Sequence, residues 1–292
     1  HPNGTIGGEY ASRNTSFYFP AGFEILSRVC EDALSIATFM RDSIRNNTTT
    51  GLTAMDAQNF CPMLNNYLFA SKFKLNSKKK RKLPFSKIVK IWFPDAGLFI
   101  NSTKFYYAIF ATSKGGVLKI YDKKTKALAY TDCGYWSSLK NKQKISSQSF
   151  SRKNKVKFNQ NMISVYAPFT SVKQRLMSPF LFLCFRLFML TVGRQRHLSI
   201  YIKNLLVRVL VSGVSKVDAE LIREVVFFEG SVRINDEIKV NSKKMQTLKF
   251  FPGGKFSTIH MGSSRYFQYE DLDTSVLQPI PLNKKQFLWK LE

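Results

Sequence analysis

Histidine is nearly absent from this 292-residue chain, with only His1, His197 and His260, so no His-rich metal cluster can be assembled. Cysteine is scarce too. Cys30, Cys61, Cys133 and Cys184 are too few and too far apart for a disulfide framework or a zinc-finger spacing. They read as small buried apolar residues, with at most one bridged pair if the protein is exported. Fifteen Gly and ten Pro exclude collagen-like or Gly/Pro-repeat structure. No H-E-x-x-H, G-x-S-x-G or Walker loop occurs, and Ser113-Lys114-Gly115-Gly116 reads as a Gly turn between strands rather than a phosphate loop. The longest apolar run, Pro179–Val192, contains Arg186 and falls short of the roughly 20 residues that span a bilayer. Acidic residues are the scarcest relative to their opposites, with 19 Asp and Glu against 45 Lys and Arg, a formal net charge of +26.

What is present is a basic but foldable chain. Apolar residues make up 44 % and aromatics 14 %, enough for a core and incompatible with a disordered basic tail. The charge points to a polyanionic partner: nucleic acid, anionic lipid or acidic polysaccharide. Five N-x-[S/T] sequons, at Asn3, Asn14, Asn46, Asn47 and Asn101, lean toward an extracytoplasmic or cell-surface setting. The chain opens on His1 with no visible signal peptide, which reads as a mature product or a fragment of a longer protein.

Three regions follow. Residues 1–75 form a helical segment after an N-terminal loop. Leu26, Val29, Cys30, Ala33, Ala37, Met40 and Ile44 recur at helical spacing from Pro20 onward. A second helix is expected from about Thr53, capped by Asp56 and kinked or restarted at Pro62. Residues 76–92 form a basic linker carrying Lys78–Lys82, either a solvated boundary or a localisation or polyanion-contact signal. Residues 93–292 read as an antiparallel β-sandwich. Val117–Tyr121 and Ala127–Tyr130 flank a hairpin turn, 140–160 reads as loop, Met162–Phe169 as strand, and Glu224–Phe228 pairs with Ser231–Val240. Leu248–Phe251 and Phe256–His260 flank a Pro-Gly-Gly-Lys turn. Near 171–213 a basic, apolar stretch breaks the β pattern. It reads either as a helical insertion packed on the sheet or as an interfacial membrane element or anion groove. The fold class is therefore α+β.

Two polar stretches gather chemistry. Gly7–Thr15 holds an acid, a phenol, a guanidinium and an amide before the first helix; Ile259–Gln268 holds an imidazole, a guanidinium and a phenol after a strand. In wording and order, Gly8-Glu9-Tyr10 through Phe23, the Phe93-Pro94-Asp95-Ala96-Gly97-Leu98 entry and the Asp132-Cys133-Gly134-Tyr135 turn resemble the heparinase II/III-like polysaccharide lyases. That resemblance implies the end of an α/α toroid joined to a β-sandwich, with further toroid helices preceding His1. It implies an acidic polysaccharide as partner and β-elimination as the reaction if the chain is catalytic; no cofactor is expected, and the sequence leaves a metal open. Tyr10 and His260 would then serve as base and acid, Arg13 and Asn14 would neutralise the uronate carboxylate, and Arg265 would clamp substrate. The chain departs from the family pattern at Lys114–Asp122, where an H-x-H-x-D motif would carry histidines. A non-catalytic protein on the same scaffold, binding polyanions or a membrane surface through 171–213, is the competing expectation. A nucleic-acid binder ranks last, because no RRM, KH or helix-turn-helix signature is present.

Overall fold

The computed structural model describes residues 1–7, 16–46, 57–75, 81–139, 143–148, 151, 154–172, 178–191, 194–206, 216–241, 248–252 and 285–290. The architecture is α+β: N-terminal helices, then two antiparallel sheets, with a helical insertion.

The helical part begins with a short ribbon, β1 (Ile6–Gly7) against β2 (Ser16–Phe17). Next come α1 (Pro20–Leu26), α2 (Glu31–Asn46) and α3 (Ala57–Phe73). The single helix expected from Pro20 is two. Ser27 turns its hydroxyl onto the Glu24 carbonyl (2.6 Å), and the chain restarts at Glu31-Asp32, whose negative charges suit a helix N-terminus. The apolar stripe divides accordingly: Ala33, Ala37 and Met40 are buried, whereas Leu26, Val29 and Cys30 are exposed. Pro62 sits inside α3 without ending it. Buried Glu24 on α1 is ion-paired with Arg41 on α2.

A five-stranded sheet follows in simple meander order: β3 (Val89–Phe93), β4 (Leu98–Ser102), β5 (Tyr106–Ala111), β6 (Val117–Asp122) and β7 (Leu128–Asp132). The expected hairpin is present. Asp122 accepts the Lys124 N–H at 2.6 Å, and Lys126 takes a positive φ of 59° to close the turn.

The second sheet contains β8 (Tyr135–Ser138), β9 (Lys144–Ser146), β10 (Lys155–Asn159), β11 (Met162–Val172), β12 (Lys216–Phe227), β13 (Ser231–Val240), β14 (Phe251–Pro252) and β15 (Lys285–Lys290). Strands β9 and β10 lie in the stretch expected to be loop. The alternation of Val156 and Phe158 among lysines decides this: Phe158 packs edge-on to Trp92 at 4.9 Å and reaches Phe99 at 6.2 Å. Between β11 and β12 the chain forms α4 (Pro179–Leu190) and α5 (Arg196–Leu206), the helical insertion.

The main core lies between the sheets. Tyr106, Ala108, Phe110, Leu118 and Ile120 from one face Ile163, Val165, Val225, Phe227 and Ile234 from the other. A second cluster around Phe169, Leu221, Ile238 and Phe250 continues the layer. Strand β13 shows why: Val232, Ile234, Asp236 and Ile238 are buried at every second position, so one face turns inward. Asn101, counted above as a sequon, is 1 % exposed and donates its side-chain amide to the Tyr106 hydroxyl (2.9 Å), so the folded chain offers no glycan acceptor there. The Tyr106 hydroxyl in turn donates to the Phe228 carbonyl at 2.7 Å, tying the sheets together at one end.

Candidate functional site

Two clusters of polar chemistry exist among the described residues, and they do different things. The first is internal. Arg223 on β12 is fully buried and stands directly opposite Asp236 on β13. Its Nε and Nη2 donate to the two Asp236 oxygens at 2.8 and 2.7 Å, Nη2 also reaches Asp132 Oδ1 at 2.8 Å, and Nη1 donates to the Gly116 carbonyl at 2.8 Å. The Tyr135 hydroxyl donates to Asp236 (2.7 Å) and the Tyr130 hydroxyl to Asp132 (3.1 Å). Burial opposes the guanidinium charge, but Asp132 and Asp236 more than reverse this and raise the Arg223 pKa well above its usual value. Both phenols are pushed up, first by burial and then by their neighbouring carboxylates.

This arrangement accounts for the Asp-x-Gly turn. Asp132 Oδ1 accepts the Gly134 N–H at 2.8 Å, and Gly134 sits at φ +81° with its Cα against the Ser147 side chain. Gly115 (φ +77°) lies against the Ser147 carbonyl, where a Cβ would collide, and Gly116 lies against the Arg223 side chain. The Gly pair is thus a close-packed turn that lets Arg223 reach its carbonyl. In the following strand Val117, Leu118, Lys119 and Ile120 are all buried, so the stretch lacking the H-x-H-x-D histidines lies inside the protein. The cluster clips Gly116, Asp132 and β12–β13 into one unit, and only Asp132 and Tyr130 of it are partly exposed.

The second cluster is open. A cleft of about 240 Å³ lies between the helices and the five-stranded sheet, lined by His1, Thr5, Phe23, Phe39, Phe85 and Tyr107 among others. The His1 ring stacks on Tyr121 with centroids 4.9 Å apart. Its Nδ1 lies 3.2 Å from the Tyr121 hydroxyl and 3.0 Å from Thr5 Oγ1. Tyr107 contributes a phenol whose pKa is raised by burial. Phe39 and Phe85 form an aromatic wall, rings 5.0 Å apart, and the exposed Lys126 holds its ammonium 5.8 Å from the Phe39 ring. An imidazole and a phenol, His1 and Tyr107, therefore line one cleft, with the buried Tyr121 against the His1 ring and the Lys126 ammonium near the Phe39 ring. That set can exchange protons and attract a carboxylate.

Tyr10, Arg13 and Asn14 lie in the connection between β1 and β2, outside the described residues; His260 and Arg265, between β14 and β15, also lie outside them. The cleft residues His1 and Tyr107, and their neighbours Tyr121 and Lys126, were not singled out by sequence reasoning. The one available signal was the rarity of histidine, which makes each of three worth placing. No group of three or more His, Cys, Asp or Glu gathers among the described residues as a metal site.

Compared with protein-family models, with curated proteins and with solved structures, the chain matches none.

Proposed function

We propose that this chain binds acidic, uronate-containing polysaccharide at the cleft beneath its N-terminal helices, as a divergent protein of the heparinase II/III-like kind. The observation that carries the reading is the cleft itself: His1, Thr5 and Tyr107 line it, on a chain of net charge +26, and the Lys126 ammonium stands 5.8 Å from the ring of Phe39 in its wall. Thr5, on the cleft wall, directly precedes β1.

The chemistry is β-elimination. Arg13 and Asn14 neutralise the uronate carboxylate, which makes the C5 proton acidic. A base removes that proton, the electron pair becomes the C4–C5 double bond, the C4–O bond breaks, and an acid protonates the departing oxygen. Tyr10 and His260 fill the base and acid roles, with Arg265 holding the neighbouring sugar, and His1 offers a second imidazole within the cleft.

The test is incubation with a panel of uronate polysaccharides, read by the ultraviolet absorbance of the unsaturated product. A rise with one substrate, abolished by Tyr10→Phe and lowered by His1→Ala, is the expected result. Wild-type turnover in Tyr10→Phe removes Tyr10 from the mechanism. Salt-sensitive binding with no absorbance rise on any substrate replaces the lyase by a non-catalytic polyanion binder on the same scaffold.

A further inference from the structure

The insertion between β11 and β12 leaves large apolar side chains in water. On α4, Phe180, Phe182, Leu183, Leu187 and Leu190 are each more than half exposed, and on α5 Tyr201 is 67 % exposed. Around α4, among the residues whose burial is described, the exposed ones predominate, with Phe185, Phe188 and Met189 half-buried. A patch of this kind marks an interaction site. Its length limits the partner: twelve residues extend about 18 Å, against a hydrocarbon layer of about 30 Å. No helix among the described residues is long and apolar enough to cross a membrane.

Charge selects among the occupants. From Cys133 to Val217 the sequence contains no Asp or Glu, while fifteen Lys and Arg fall in the same interval. Arg186 on α4 and Arg194 between the helices are both exposed. A second copy of the chain would bring like charge against like charge. An acidic polysaccharide would satisfy the arginines but leave Phe180, Phe182 and Leu187 in water. An anionic lipid surface satisfies both, taking the apolar side chains roughly 5–10 Å into the headgroup–acyl boundary and pairing the cations with lipid phosphates and carboxylates.

We infer that α4 and α5 form an interfacial anchor that seats this protein on an anionic membrane surface without spanning it. The inference is independent of the cleft and of any turnover there.

The experiment uses Cys184, exposed on α4. In a Cys30→Ser/Cys61→Ser background, a polarity-sensitive fluorophore attached to Cys184 reports the anchor directly, because the remaining Cys133 is buried. The whole chain is mixed with vesicles of phosphatidylcholine containing phosphatidylserine and, separately, of phosphatidylcholine alone. Expected results are co-sedimentation with the anionic vesicles, weaker with the neutral ones, and a blue shift of the label on binding. Phe182→Ser/Leu187→Ser should lower partitioning by about tenfold or more at the same salt. Both positions are exposed, so unchanged circular dichroism is expected of that variant. Absence of co-sedimentation at low salt overturns the inference. So does binding with the label still in water, binding unaffected by the double substitution, or a vesicle-free dimer in which the label is already shielded.

Discussion

Replacing Asp236 by Ala tests whether the sheets are held by the buried ionic cluster. Asp236 accepts two guanidinium bonds from Arg223 and one from the Tyr135 hydroxyl, all at 2.7–2.8 Å. In the variant, a fully buried cation keeps only Asp132 and the Gly116 carbonyl, and a buried phenol loses its acceptor. Breaking a buried pair from one side costs about 3–5 kcal/mol, because the surviving charge is left undercompensated. For a domain of this size that lowers Tm by on the order of 10 °C. Removing both charges is expected to be milder: Arg223→Met/Asp236→Leu should lose less than Asp236→Ala alone, since no orphaned cation remains. The assay is urea unfolding followed by tryptophan emission. Trp136, stacked on Phe251 at 5.0 Å, reports one sheet, and Trp92, against Phe158 at 4.9 Å, reports the contact between the two. Asp236→Ala within about 1 kcal/mol of wild type, or a double variant worse than the single, would refute the reasoning.

Three further outcomes are expected. Cys133 is buried and its thiol is pushed up to about 12 by burial first, so thiol reagents should modify Cys30, Cys61 and Cys184 in the native chain and Cys133 only after unfolding. The same group, with the Tyr67 phenol raised to about 12 by burial, makes the fold sensitive to alkali. In the unfolded chain these groups ionise near their ordinary values of 9 and 10, while the native chain holds their protons. Stability should therefore be full below pH 9 and fall as pH rises toward 12, by up to about 1.4 kcal/mol per unit from Cys133 and by less from the half-buried Tyr67, measured by denaturant midpoints across that range. Gly115→Ala should destabilise by about 1–3 kcal/mol or more, because it forces a side chain into φ +77° against the Ser147 carbonyl; a melting curve matching wild type would count against the close-packed turn.

Much of the architecture was legible because periodicity survives in the relevant elements. Ala33, Ala37 and Met40 mark the buried face of α2, and Val232, Ile234 and Ile238 mark the inward face of β13. The same alternation also carried an unread signal. Asp236 occupies an inward position on β13, and Arg223 occupies one on β12 between Leu221 and Val225. Two opposite charges in the apolar phase of neighbouring strands announce a buried pair. Strand β10 was hidden for the opposite reason: its Lys, Asn and Gln neighbours look like loop, and only the aromatic contacts of Phe158 reveal a packed strand. The break between α1 and α2 depends on a side-chain bond from Ser27, which apolar spacing does not register. The cleft was least legible, because it joins positions as distant as His1 and Tyr121 that no local pattern connects.

The placement of the α4–α5 segment has a consequence for how the chain tolerates change. Strands β11 and β12 are antiparallel neighbours, with Thr170 opposite Lys216, so the excursion leaves and returns at adjacent points of one ladder. A tight turn could join those points without disturbing a single cross-strand pair. Closing a long connection rather than a short one costs only about 0.6 kcal/mol for each doubling of its length. The segment is therefore an excursion from one hairpin: the β11–β12 register is set by the strands themselves, and a change in the length of the excursion does not by itself shift it.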